Sequence, residues 1–163
     1  MKPISIQPRK SISPAFLKVK PVRTEIEHFK NTLKEMLERI DEKESEEFHK
    51  NLVVKFLENT YYRPEYYINT KGRKDQVIHT GKDTKNPVGV IFETKSPSNK
   101  SEMLQKDDIN KKAFHELIYY YLQERITGKN LEIKHLVVTN IHEWFIFDAI
   151  VFDLIIFRLM FRS

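Results

Sequence analysis

The sequence predicts an α/β domain, a mixed sheet with helices packed on it, in the order α-α-β-β-β-α-β-β. Apolar residues recur at helical spacing in three long stretches. Short β-branched and aromatic runs, bounded by turn residues, separate and follow them. The chain has 163 residues, enough for one substantial core but short for two.

Residues 1–23 read as an extended basic arm. They carry Lys2, Arg9, Lys10, Lys18, Lys20 and Arg23, no acid, and prolines at 3, 8, 14 and 21. Thr24-Glu25-Ile26-Glu27 has the pattern of a capping box. Ile26, Phe29, Leu33, Met36, Leu37 and Ile40 then predict a helix over about 25–42. Phe48, Leu52, Val53, Phe56 and Leu57 predict a second over about 45–59. Nine acids against four bases between Glu25 and Glu47 make this segment acidic, the opposite of the arm.

From Tyr61 the pattern becomes that of a sheet. Tyr66-Tyr67-Ile68 and residues 75–80 are strand candidates, and residues 81–87 hold the Gly, Asp, Asn and Pro of a turn. Val88-Gly89-Val90-Ile91-Phe92 is a near-continuous apolar run, the mark of a central strand buried on both faces. A third helix over about 109–126 carries Ala113, Phe114, Leu117, Ile118, Tyr121 and Leu122, and Gly128 stops it. Residues 136–139 and 144–147 are the last two strands. The domain proper is 24–149. Residues 150–163 form an apolar tail.

Composition excludes several kinds of chemistry. The chain has no cysteine, which removes disulfides, thiolate zinc sites, iron–sulfur clusters and cysteine nucleophiles, and fits a reducing, cytoplasmic setting. Four glycines, at 72, 81, 89 and 128, make neither a dinucleotide loop nor a phosphate loop. His142-Glu143 lacks the second histidine of a zinc-protease helix. No apolar stretch has signal-peptide length, and Asp153 and Arg158 interrupt the tail, so no membrane partner is expected. Lys+Arg 28 against Asp+Glu 23 gives a net charge of +5, only a weak pointer to a polyanion.

One constellation carries chemistry: Asp75 followed, across the hairpin, by Glu93-Thr94-Lys95. Glu93 and Lys95 are two apart on a strand and share a face. A hairpin symmetric about Thr84 sets Asp75 directly opposite Glu93, with Cβ atoms about 4.5–5.5 Å apart. Two carboxylates that close repel unless a cation lies between them. Mg²⁺ is the natural occupant, because it takes one or two carboxylates together with water and phosphate oxygens. A lysine on the same face orients or deprotonates an attacking water and stabilises developing charge. The same residues also fit a rim of solvated charges with no chemistry. Asp83 is set aside because it falls in the hairpin turn.

Other positions are less sharply placed. Glu46 falls in the apolar arc of the second helix and Glu47 at its edge; either joins the site or simply favours the helix dipole. Asn110 and Arg125 project into the arc of the third helix, to reach phosphate, to brace the site or to satisfy local hydrogen bonds. The tyrosines 119–121 read as core and rim, and His79 as structural. Lys18, Lys20 and Arg23 on the arm, with Arg73 and Lys74 beside Asp75, are the candidate phosphate contacts on double-stranded DNA. The arm reads equally as a solvated terminus or a docking segment.

With these residues assembled, the chain resembles a PD-(D/E)xK nuclease domain. More narrowly, it is similar to the N-terminal nuclease region of fused type IIG restriction–modification enzymes. The stretches that carry the resemblance are SEEFHKNLVVKFLENTYY (45–62), INTKGRKDQVIH (68–79), VGVIFETKSPSNKSEM (88–103), NKKAFHELIYYYLQERI (110–126) and HLVVTNIHEWFIFDA (135–149). The resemblance implies a restriction-endonuclease-like core, Asp75, Glu93 and Lys95 as catalytic triplet, and Mg²⁺ as the ion, with Asp75 and Glu93 as its ligands. It implies a second-helix glutamate, Glu46, less firmly. It also implies a methyltransferase and target-recognition module as partner, with residues 150–163 as the start of a truncated connector that would leave an orphaned apolar surface. Two departures stand out. Lys74 takes the place of the proline before Asp75, and no (N/D)PP(Y/F) methyltransferase motif is present. The expected activity is Mg²⁺-dependent DNA cleavage without methylation. The alternatives are a non-catalytic DNA-binding or docking domain and a repair-type nuclease of the same superfamily.

Overall fold

The computed structural model describes residues 4–69 and 76–160, with side chains to Leu154. Two one-turn helices, α1 (Pro8–Ser11) and α2 (Pro14–Leu17), precede α3 (Arg23–Glu38) and α4 (Glu46–Leu57). Strands β1 (Ile68–Asn69), β2 (Gln76–His79) and β3 (Val88–Thr94) lead to α5 (Lys112–Leu122). Then come β4 (His135–Thr139), β5 (Trp144–Asp148) and α6 (Ala149–Met160). The α/β class and the order from α3 to β5 agree with the sequence reading.

The arm is less extended than its prolines suggest. Pro8 and Pro14 open helical turns, where proline's missing N–H costs nothing. None of the residues in these two turns is buried. The entry to α3 also differs from the expected box at Thr24. The helix starts two residues earlier, with Val22 as the N-cap, and the Glu25 carboxylate accepts the Val22 backbone N–H at 2.8 Å. At α4 the Ser45 hydroxyl accepts the Phe48 N–H at 3.1 Å, an ordinary N-cap. Both α4 and α5 end in a π-turn, Glu58–Tyr62 and Gln123–Thr127. Gly128 ends the second one by close approach: a Cβ there would meet the Glu124 carbonyl oxygen at 2.7 Å.

The five strands lie in chain order β1-β2-β3-β4-β5. Neighbours are antiparallel except β3 and β4, which are parallel and joined through α5. The pairs Gln76↔Phe92, Val77↔Ile91 and Ile78↔Val90 follow the register about Thr84 that the sequence predicts, and a bulge at His79 then shifts it. Alternation along the strands sorts two cores. Val77, Ile91, Leu136 and Val138 pack with Ala113, Leu117, Tyr121 and Phe152, on the side of α5 and α6. Ile78, Phe92 and Val137 pack with Val53, Phe56 and Met36, on the side of α4 and α3. Each of the Val, Leu, Ile, Phe and Met side chains among them contributes about 1.5–3 kcal/mol on burial.

The apolar tail is α6. Ala149 and Phe152 belong to the first core, whereas Ile150, Val151 and Leu154 face outward. Among the described residues, no helix is long and apolar enough to cross a membrane.

Candidate active site

Glu93 and Lys95 stand at the C-terminal end of β3, where the strand leaves the core. Ile91, two residues before Glu93, faces α5 and is fully buried, so the same alternation carries Glu93 and Lys95 to that face. The backbone is held on both flanks. The Lys95 N–H donates to the Thr139 carbonyl at 2.8 Å. The Thr94 hydroxyl donates to Gln76 Oε1 at 3.1 Å, and Gln76 Nε2 donates to the Lys50 carbonyl at 2.6 Å. β3 is thereby tied to β4 on one side and, through β2, to α4.

Four carboxylates from four parts of the chain surround the Lys95 ammonium. Glu93 and Glu116 lie at 2.8 Å, Glu102 at 3.6 Å and Glu46 at 3.7 Å. The Lys95 side chain is 5% exposed and that of Glu93 2%. Burial works against the charge on Lys95. Hydrogen bonds to Glu116 and Glu93, with the attraction of Glu93 and Glu46, outweigh it and hold the lysine above its ordinary range. Glu102 is held below its usual range, chiefly by the hydrogen bond from Lys112, at 2.8 Å. Among the described residues the cluster counts four carboxylates against two ammonium groups.

Of the sequence-predicted residues, Glu93, Lys95 and Glu46 come together. Glu47 does not: it is largely exposed and pairs with Lys50 at 2.7 Å. Asp75, Arg73 and Lys74 lie outside the described residues. The register that predicts Glu93 as the partner of Asp75 is the one followed from Gln76 to Ile78. Lys18, Lys20 and Arg23 are exposed. Asp83 stays in the turn, where its carboxylate accepts the Lys85 N–H at 2.8 Å. His79 is structural: its ring nitrogens contact the Asn86 carbonyl at 2.6 Å and Asn69 Oδ1 at 3.0 Å.

Two supporting residues fall elsewhere. Asn110 precedes α5 instead of lying on it. Its Oδ1 contacts the His115 ring at 2.7 Å, and its N–H is bound by Asp108. Arg125 lies past the C-terminal end of α5, paired with Asp153 of α6 and donating to the Asn130 carbonyl at 3.2 Å. It braces α6 and does not reach Lys95, because the π-turn carries it to the far end of the helix.

Glu102 and Glu116 are the residues the sequence reading missed. Glu116 lies three after Ala113 and one before Leu117, both fully buried, so it borders the apolar arc of its helix. That signal was present in the periodicity. Glu102 sits in an irregular loop and carries no such signal. His49, one turn after Glu46, was also missed. It is fully buried, its Nδ1 is 2.9 Å from the Ser45 carbonyl, and its Nε2 has no partner among the described residues.

A family model described as a domain of unknown function, DUF7149, matches residues 6–159. Neither the curated proteins nor the solved structures hold a match to the chain. The matched span takes in α1 to α6 with all five strands and the Lys95 cluster, so the chain belongs to the DUF7149 family.

Proposed function

We propose that this chain is a Mg²⁺-dependent DNA endonuclease domain of the PD-(D/E)xK kind, working within a restriction–modification system. One observation carries the reading: a buried lysine and glutamate, two apart at the end of the central strand, inside a ring of carboxylates. Charges at the end of an apolar strand are costly, and a fold that keeps them there gains something else from them. The sheet order, with an antiparallel β2–β3 pair and a helix crossing to parallel β4, supports the same reading.

The carboxylates around Lys95 are donors of the kind a hard cation takes. Among the described residues, no three His, Cys, Asp or Glu side chains form a metal-ligand group. On the sequence register Asp75 would join Glu93 in the two-carboxylate set that Mg²⁺ takes alongside water and phosphate oxygens, and Glu46 approaches Lys95 from α4. The bound ion would polarise the phosphodiester and lower the pKa of a coordinated water. Lys95, kept cationic by its neighbours, orients the water and offsets charge growing on the phosphate oxygens. Lys18, Lys20 and Arg23, with Arg73 and Lys74, track the phosphates of double-stranded DNA. The outward face of α6 is the kind of apolar surface that a methyltransferase or target-recognition module covers.

The test is plasmid nicking with Mg²⁺, Mn²⁺ or EDTA, comparing wild type with Lys95→Ala. Expected are metal-dependent nicks that fall about 10³-fold in the variant, with an unchanged far-UV circular dichroism spectrum. Equal cutting by the two proteins, or cutting in EDTA, overturns the mechanism. A folded wild type that binds duplex DNA but never cuts it favours the non-catalytic alternative.

A further inference from the structure

We propose that Glu116 is a positioning residue of this site, anchoring the Lys95 ammonium from α5 so that the lysine keeps its place when a cation engages Glu93. What Lys95 does there rests on the nuclease reading; what holds it rests on geometry alone.

A lysine head is a compact charge on a flexible four-carbon stem, so its position must be imposed from outside. The two carboxylates at 2.8 Å, Glu93 and Glu116, are not equivalent. Glu93 shares a strand face with Lys95 and is the candidate ligand. A carboxylate that faces a divalent cation attracts a neighbouring ammonium less strongly. Glu116 comes from another element with a fixed base: Ala113 and Leu117 beside it are fully buried in the core under β3 and β4. Glu102 cannot take its place. Its carboxylate is already bound by Lys112 at 2.8 Å and by Asn99 Nδ2 at 3.2 Å. Glu46 is farther away, at 3.7 Å. Glu116 is therefore the close anchor that is not also a candidate ligand.

Glu116→Gln keeps the size of the side chain and removes its charge. For nicking, kcat falls by about 10–10²-fold, the cost of a misplaced reacting group. KM for DNA and the Mg²⁺ concentration for half-maximal rate stay within about twofold, since neither the DNA contacts nor the candidate ligands are touched. Glu116→Asp, which keeps the charge, recovers part of the rate. A purely structural role would instead lower thermal stability and leave turnover of the folded protein intact. Wild-type kcat in Glu116→Gln overturns the proposal. A second readout needs no activity: acylation of Lys95, read by peptide mass spectrometry. Lys95 is protected in the wild type and in Glu47→Gln, and loses protection in Glu116→Gln. Unchanged protection in Glu116→Gln overturns the anchor whether or not the protein cuts. Lost protection in a protein that never cuts upholds the anchor and removes the nuclease reading alone.

Discussion

At the N-terminal half of α5 a buried lysine meets four carboxylates; just past its other end, Arg125 meets one, Asp153, which also accepts the Tyr121 hydroxyl. The far cluster is balanced, one cation to one anion. Burial, and then Asp153, raise the Tyr121 hydroxyl above its ordinary range, so it stays a donor. The hydrogen bond to Asp153 does the same for Arg125. Tyr121 and Asp153 sit on packed helices, and the product is a docked α6. The near cluster is unbalanced among the described residues, with carboxylates crowded beyond what two ammonium groups offset. Balanced charge of this sort holds a scaffold together, whereas crowded carboxylates around a buried lysine are the arrangement on which the proposed cation site rests.

The difference can be broken by substitution. Asp153→Ala should lower stability by about 1–2 kcal/mol, a fall in Tm of about 5 °C for a chain of this size, measured by calorimetry. Nicking by the protein that remains folded should not change. A catalytic defect without a stability defect would dissolve the contrast between the two ends. Glu46→Gln sharpens the near end: about tenfold slower nicking, against no change for Glu47→Gln, because only Glu46 approaches Lys95. Equal effects of the two would make Glu46 an ordinary first-turn acid. The smallest effect belongs to the arm. Lys18→Ala should weaken duplex binding a few-fold and reduce the slope of log K against log salt by about 0.9. An unchanged slope would remove the arm from the phosphate contacts.

Periodicity made most of the fold legible. The β2–β3 register was legible once the hairpin was taken as symmetric about Thr84, a pairing that sets Val77 against Ile91. Glu93 and Lys95 were legible because charges terminate an apolar run. What stayed hidden depended on where helices end. A third helix drawn over about 109–126 placed Asn110 and Arg125 on its inner face. The π-turn at 123–127 and the start at Lys112 move both away. Glu102 was beyond reach, since its place near Lys95 depends on a loop crossing the sheet end. Asp153 looked like a flaw in an apolar tail until Arg125 and Tyr121 gave it partners. Only tertiary packing supplies that meaning.

The hydrogen bond from the Lys95 backbone to Thr139 has a consequence in time. β2 and β3 are joined by a short turn, as are β4 and β5, so each pair closes locally and fast. The parallel β3–β4 contact spans all of α5 and its flanking loops, and loop closure of that length comes late. A chain emerging from the ribosome therefore presents Glu93 and Lys95 well before the Thr139 carbonyl that orients their strand end, and before the helix bearing Glu116 has a sheet to lie on. The charges are made early and the site late, so a half-synthesised chain carries the chemistry without the geometry to use it.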